Sequence, residues 1–389
     1  MINFRFSCPT EMIFGKDVQG TAGKETKKYG SKVLLHYGSS HIKKSGLYDQ
    51  VKKSLIDAGV DFVELGGVQP NPRLSLAREG IQLCRDSGVD FILAVGGGSV
   101  IDSAKAIAAG TLYDGDVWDF YTKGVQPVQA LPIGVVLTIP AAGSESSNSS
   151  VITDLDNSNK RHMEGAVLLP KFALMNPELT YTLPPYQTAC GASDIMAHTM
   201  ERYFTQEPDV DLTDRLCEAT LKTIIGNVPV VLTDPKNYAA RAEIMWAGSI
   251  AHNDILGTGR ISDWASHMIE HELSGINDVA HGAGLAVIFP AWMRYVYKQN
   301  VSRFAQFAVR VWNIEMDYFN PEKTALAGID AIKAYFRSIG LPVSLTEIGI
   351  TPEHYERIAD NCRRTGNNAV GSFVPLQSKD IIEILKIAQ

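Results

Sequence analysis

Residues 90–110 read DFILAVGGGSVIDSAKAIAAG. An unbroken apolar run enters three glycines and a serine, and an alanine-rich stretch follows. A strand apolar at every position, rather than at alternate ones, is the pattern of a parallel sheet covered on both faces. Glycines let a backbone approach a ligand closely, and the free N–H groups at a helix start attract an anion such as a pyrophosphate. The GxGxxG fingerprint is not completed, because Ile101 stands where its third glycine would fall. The segment therefore predicts a strand–turn–helix unit that holds a nucleotide by a loop of another kind. A purely local alternative has Gly96, Gly97 and Gly98 as a tight turn, Ser99 capping the helix and Asp102 closing a capping box.

Outward from this unit, residues 32–37 (KVLLHY), 61–65 (DFVEL), 90–95 (DFILAV) and 133–139 (IGVVLTI) read as strands, with helical patterns at 42–58 and 73–87. Such alternation predicts an α/β domain with a mostly parallel sheet, whose ligands sit at the carboxyl ends of the strands. At Pro184-Pro185 the character changes. Amphipathic stretches at 186–204, 212–225, 238–256, 262–273 and 282–299 follow without convincing strands, which predicts an all-α C-terminal domain. The expected organisation is a dinucleotide-binding α/β domain at 1–183 and a helical metal-binding domain at 184–389. A chain of 389 residues is long enough for two cores.

Composition narrows the function. A net charge of −7 argues against nucleic acid as a partner, which requires a basic face. The opening MINFRFSCPT lacks the plan of a signal peptide, and no run approaches the roughly 18 apolar residues of a membrane span. Cys8, Cys84, Cys190, Cys217 and Cys362 are odd in number, scattered and free of any CxxC pair, so reduced thiols and a cytoplasmic location are expected.

Two further stretches bear on the nucleotide. The first strand ends Tyr37-Gly38-Ser39-Ser40, with Lys43 and Lys44 beyond it. Proteins that choose NAD often place a carboxylate there to hold the ribose 2′-hydroxyl. Small hydroxyls and ammonium groups instead suit a 2′-phosphate, hence NADPH. Residues 138–148, TIPAAGSESSN, are small and hydroxyl-rich after a strand and suit a second backbone contact with the cofactor.

The helical half carries histidines in a pattern. Asp194 and His198 are four apart in GASDIMAHTMERY, His267 and His271 are four apart in SHMIEHELSG, and His281 lies in VAHGAGLAV. A spacing of four puts two side chains on one helix face, close enough to share an ion. Imidazoles with one carboxylate favour a first-row transition ion over Mg²⁺ or Ca²⁺. The residues alone leave open which of His252, His267, His271 and His281 would bind it.

Taken together, Phe14-Gly15, Pro70-Asn71-Pro72, Gly96 to Asp102, Ala142-Gly143-Ser144-Glu145, Gly191-Ala192-Ser193-Asp194 with His198, His267 with His271, and His281-Gly282 resemble the iron-containing (group III) alcohol dehydrogenase family across essentially the whole chain. Within it the chain is most similar to the NADPH-dependent butanol dehydrogenase and broad aldehyde reductase branch. The resemblance implies that Asp194, His198, His267 and His281 bind one divalent metal, Fe²⁺ or Zn²⁺. It implies that Gly96, Gly97, Gly98, Ser99 and Asp102 hold the pyrophosphate and nicotinamide side of NADP(H). Thr138, Ser144 and Lys160 match further cofactor positions, although the loop around Ser144 departs from the commoner TTAGTGSE form. Gly38, Ser39, Ser40 and Asn71 complete the expected cofactor set. His271 matches a histidine near the nicotinamide that does not ligate the metal, and His252 matches no ligand position and reads as structural.

The implied reaction is reversible reduction of an aldehyde to a primary alcohol. The metal would polarise the carbonyl, the nicotinamide would deliver hydride across an interdomain cleft, and His271 would relay the proton. A small aldehyde or alcohol is the expected substrate and a homodimer the expected assembly. Four protein ligands would close a tetrahedral zinc, so coordination must expand, which comes more naturally to Fe²⁺. Three rivals remain: an NAD-dependent polyol or glycerol dehydrogenase, a lyase like dehydroquinate synthase, and a binding protein without turnover. The apolar flanks of the metal motifs, as in Asp263-Trp264-Ala265, disfavour the charged substrate of the lyase.

Overall fold

In this computed structural model the described residues are 1–365 and 369–389, and they contain eight strands: β1 (Glu11–Phe14), β2 (Lys32–Tyr37), β3 (Asp61–Leu65), β4 (Phe91–Gly96), β5 (Ile133–Leu137), β6 (Ser149–Asp154), β7 (Asn159–Glu164) and β8 (Phe172–Met175). Six form one parallel sheet in the order β1-β8-β5-β4-β2-β3, and β6 pairs antiparallel with β7 as a separate hairpin. β4 lies between β2 and β5, and all six of its residues are buried. That position explains its continuous apolar sequence.

Strands at 32–37 and 61–65 form where the sequence predicts them, and the strand at 133–139 stops at Leu137. β1 and β8 are four residues each, too short to show a period; β1 exists through its pairing with β8, and β8 through its pairing with both β1 and β5. The helical pattern at 42–58 is interrupted at Gly46, whose φ of 78° divides it into His41–Lys44 and Leu47–Asp57. His36, within β2, is a satisfied core histidine. Its Nδ1 lies 2.9 Å from Leu65 O and its Nε2 2.9 Å from Ser103 Oγ, and burial holds its pKa down to about 4.

The chain divides into two compact units, Ser7–Leu183 and Pro184–Gln389, with Met1–Phe6 grouped with the second. The first six residues, counted with the α/β part in the sequence reading, depart from it for a plain reason. The Met1 amino group donates to Pro208 O at 3.1 Å, and Ile2 N donates to Gly259 O at 3.0 Å.

The second unit is helical: Pro185–Tyr203, Asp211–Thr233, Tyr238–His252, Ala265–Asn277 and His281–Val296 supply its first half. Trp292, Phe204, Phe289, Phe304 and Phe307 pack in its core. The helix Asp211–Thr233 is long and apolar enough to cross a bilayer by length and composition. Here Cys217, Leu221, Ile224, Val228 and Val231 bury one face of it in that core. Its buried Asp214 pairs with Arg260 and Arg303, and Glu218 with Arg310.

Candidate metal centre and nucleotide loops

In the helical unit, Asp194 and His198 lie one turn apart on Pro185–Tyr203, and both are buried. His267 stands in the first turn of Ala265–Asn277, and His281 opens His281–Val296. Asp194 Oδ1 is the common point. It lies 3.4 Å from His198 Nδ1, 3.9 Å from His267 Nε2 and 3.6 Å from His281 Nε2. The donor atoms of Asp194, His267 and His281 all fall within 4.8 Å of one another, and the His198 ring lies 4.7 Å from that of His267. Close packing supports the arrangement. A Cβ on Gly282 would come 2.0 Å from Cys190 O, so glycine lets the helix that begins at His281 press against the one that carries Asp194.

The electrostatics fit a cation. Among the described residues, Asp194 Oδ1, His198 Nδ1 and His267 Nε2 are buried without a hydrogen-bond partner, although such atoms are costly to bury unpaired. Burial, with His252 and His267 nearby, holds the His198 pKa well below its ordinary value, so its imidazole is neutral and available as a ligand. Burial opposes charge on His267 too, but the Asp194 and Glu201 carboxylates outweigh it and push its pKa up to about 9. Three nitrogens and one carboxylate oxygen converging there form a donor set suited to one first-row divalent ion.

His271 lies beside this group, its ring 5.6 Å from that of His281. His252, read as structural, packs edge-on against the His198 ring at 4.1 Å. Two glutamates that the sequence reading passed over, and the tryptophan it read only as an apolar flank, also belong here. Glu201 accepts from His267 Nδ1 at 2.8 Å, and Glu270 bonds His281 Nδ1. Trp264 holds a left-handed backbone (φ 69°), with the Arg202 guanidinium 4.8 Å over its ring and His267 5.2 Å away. Asp194, His198 and Glu201 recur at helical spacing, and that was the available signal.

In the α/β unit, Gly96, Gly97, Gly98 and Ser99 join β4 to the helix Gly98–Thr111, and Thr138 N donates to Gly96 O at 3.0 Å. The glycines have a packing reason besides any phosphate: a Cβ on Gly97 would meet Ile139, and one on Gly98 would meet Ala142, each at 2.9 Å. The capping-box alternative fails. The helix begins at Gly98 with Gly97 at its cap, and Asp102 accepts instead from Ser144 Oγ at 2.6 Å and Val151 N at 3.1 Å. Lys105, another residue the sequence reading missed, is fully buried and binds Ser144 O (2.7 Å), Ser147 O (2.9 Å) and Ser149 O (2.8 Å). Burial lowers its pKa to about 8, against the pull of Asp102 and Glu145.

Gly38 follows β2, and a Cβ there would lie 3.6 Å from Val100 Cγ2. Ser39 and Ser40 lie in the turn beyond it and are exposed. Lys43 is turned to aromatic faces, 5.2 Å from the Tyr37 ring centroid and 4.8 Å from that of Tyr48. Glu64, from β3, accepts from both tyrosine hydroxyls. Thr153 N donates to Pro72 O at 2.8 Å and Thr153 pairs with Lys160 across the hairpin, which ties the Asn71 turn to the hairpin carrying Lys160.

With both clusters described, the comparisons decide the family. Residues 9–177 match the model of the iron-containing alcohol dehydrogenases, and residues 188–389 match that family's C-terminal model. The chain belongs to the iron-containing alcohol dehydrogenase family. It is 44% identical to the probable NADH-dependent butanol dehydrogenase 1 of Bacillus subtilis over 99% of both chains. It is 38% identical to the NADPH-dependent aldehyde reductase YqhD of Escherichia coli over 90% of both. The crystal structure of NADH-dependent butanol dehydrogenase A from Thermotoga maritima superposes with a TM-score of 0.96 at 40% identity, covering 99% of this chain and 98% of that one. Membership makes the chain an alcohol–aldehyde oxidoreductase and implies a nicotinamide cofactor and a divalent metal.

Proposed function

We propose that this family member reduces aldehydes to primary alcohols with NADPH, reversibly, and that Asp194, His198, His267 and His281 hold its single divalent ion, Fe²⁺ or Zn²⁺. The observation that carries the reading is the set of three unpartnered buried donor atoms, Asp194 Oδ1, His198 Nδ1 and His267 Nε2. When bound, the ion would supply Lewis acidity toward a carbonyl oxygen and the nicotinamide would supply hydride. The chain's own residues bind and orient. Gly38, Ser39, Ser40, Asn71, Gly96, Gly97, Gly98, Ser99, Asp102, Thr138, Ser144 and Lys160 are the proposed nucleotide contacts. His271, at the edge of the histidine cluster, is the proposed proton relay to the product oxygen.

NADPH is favoured by a turn at Tyr37 to Ser40 that offers hydroxyls and no carboxylate of its own. NADH is the second reading, supported by the printed names of the Bacillus and Thermotoga relatives. Kinetics with both cofactors separate the two. A cytoplasmic homodimer belongs to the same proposal, and light scattering checks the assembly.

The deciding experiment follows NADPH consumption with butyraldehyde in metal-loaded wild type and Asp194→Ala. A Lewis acid is worth several kcal/mol, so kcat/KM should fall at least about a thousandfold. Retained turnover in a metal-depleted Asp194→Ala protein overturns the metal's role.

A further inference from the structure

Each of the two imidazoles whose Nε2 faces Asp194 has its other nitrogen held by a carboxylate with no solvent exposure. His267 Nδ1 lies 2.8 Å from Glu201 Oε1, and His281 Nδ1 bonds Glu270 Oε2. A carboxylate only accepts, so Nδ1 carries a hydrogen, and it is the proton on Nε2 that a metal ion would displace to take up a lone pair on the Asp194 side. Glu201 reaches there from the helix that carries Asp194 and His198, seven residues beyond Asp194 and so on the same face. Glu270 sits mid-helix in Ala265–Asn277 and also bonds Ser274 Oγ. The helix opposite makes room for it. A Cβ on Gly284 would come 2.7 Å from Glu270 Cγ and 2.9 Å from its Oε1.

Resting on the metal reading above, we propose that Glu201 and Glu270 are positioning residues that fix the tautomer and ring orientation of His267 and His281 toward the ion. Buried carboxylates are expensive, and a purely architectural group would be cheaper if apolar. Their negative charges also raise the basicity of the two ligand nitrogens and offset part of a dication's charge. Glu201 has a second task. It accepts from Trp264 N (2.7 Å) and His267 N (3.1 Å), which caps the start of Ala265–Asn277. Glu270, in mid-helix, has no such capping task, so the two residues separate architecture from metal positioning.

The test measures Zn²⁺ affinity by chelator competition, the visible spectrum of the Co²⁺-loaded protein, and the melting temperature of the metal-free protein. Wild type, Glu270→Gln, Glu201→Gln and, as a ligand control, Asp194→Ala are compared. Glutamine keeps the shape and a neutral acceptor while removing the charge. Expected for Glu270→Gln is Zn²⁺ binding weaker by about 10–100-fold, a displaced Co²⁺ band at saturation and an unchanged metal-free melting temperature. Glu201→Gln should show the same metal losses plus a lower melting temperature. Wild-type Zn²⁺ affinity and spectrum in Glu270→Gln overturn the proposal, as do changes in both variants confined to metal-free melting. If the wild type itself takes up neither Zn²⁺ nor Co²⁺, the metal reading falls first and this inference with it.

Discussion

Gly38 is the residue on which cofactor choice can be tested most directly. An added Cβ would meet Val68 O at 3.4 Å and Val100 Cγ2 at 3.6 Å, which is ordinary contact, so a side chain fits without rebuilding the turn. Gly38→Asp should place a carboxylate beside the 2′-phosphate. NADPH kcat/KM should fall on the order of 100-fold, with a much smaller change for NADH, because juxtaposed like charges cost several kcal/mol. An unchanged preference means the phosphate lies elsewhere. His271 adjoins the metal group, its ring 5.6 Å from that of His281, and is not one of the proposed ligands, so His271→Ala should lower kcat by roughly 100-fold or more and leave Zn²⁺ affinity as it was. Loss of the ion in that variant would make His271 a ligand. Asp194 with His198, and His267 with His271, stood out in the chain because spacing on a helix is local, whereas the choice of His281 over His252 as a proposed ligand came from the family resemblance. Glu201 shares the helical spacing of Asp194 and His198, but its task could not be read there, since its partner His267 lies 66 residues away.

The helix Gly98–Thr111 does more than start at a glycine turn. Its Asp102 and Lys105 fasten the segment from Ser144 to Val151, so one helix orders two loops proposed to touch the nucleotide. Lys105→Met leaves three carbonyl oxygens without their donor, at about 1–3 kcal/mol for each that stays unsatisfied. The nucleotide KM should rise, while Zn²⁺ affinity, which belongs to the other unit, should not. Titration gives a second handle. With a folded pKa of about 8, below the ordinary lysine value, the native state sheds this proton before the unfolded chain does. Global stability therefore gains from Lys105 as pH rises above 8, but the neutral amine has one donor fewer for the loop. In wild type the nucleotide KM should climb between pH 7 and pH 9 (, on the order of a few-fold), and in Lys105→Met it should be high and flat. β4 was legible because an unbroken apolar run has one explanation in a parallel sheet. The capping-box alternative stayed open in the chain because Ser99 and Asp102 satisfy a local pattern, and only the fold reveals that Ser144 and Val151 take up the carboxylate.

Across the whole molecule, every proposed nucleotide contact falls in Ser7–Leu183 and every proposed metal ligand in Pro184–Gln389. The change of pattern at Pro184-Pro185 could be read in the chain. The attachment of Met1–Phe6 to the helical unit could not, because it rests on backbone bonds to Pro208 and Gly259 that no side-chain pattern encodes. Acid stability should report on the sheet core. His36 has a folded pKa of about 4, below its unfolded value, so as pH falls through 6.5 toward 4 the unfolded chain takes up the proton first. Between pH 7 and pH 5 this one group should remove about 2 kcal/mol of unfolding free energy, and His36→Leu should lose that much less over the same range in urea titrations. The anchored first six residues carry a consequence of their own. The α/β unit is spliced into the helical one as an insert, leaving and rejoining the same body. Were it to unfold while the helical unit stayed folded, both its ends would remain held, and the disordered chain would gain fewer arrangements than a free tail.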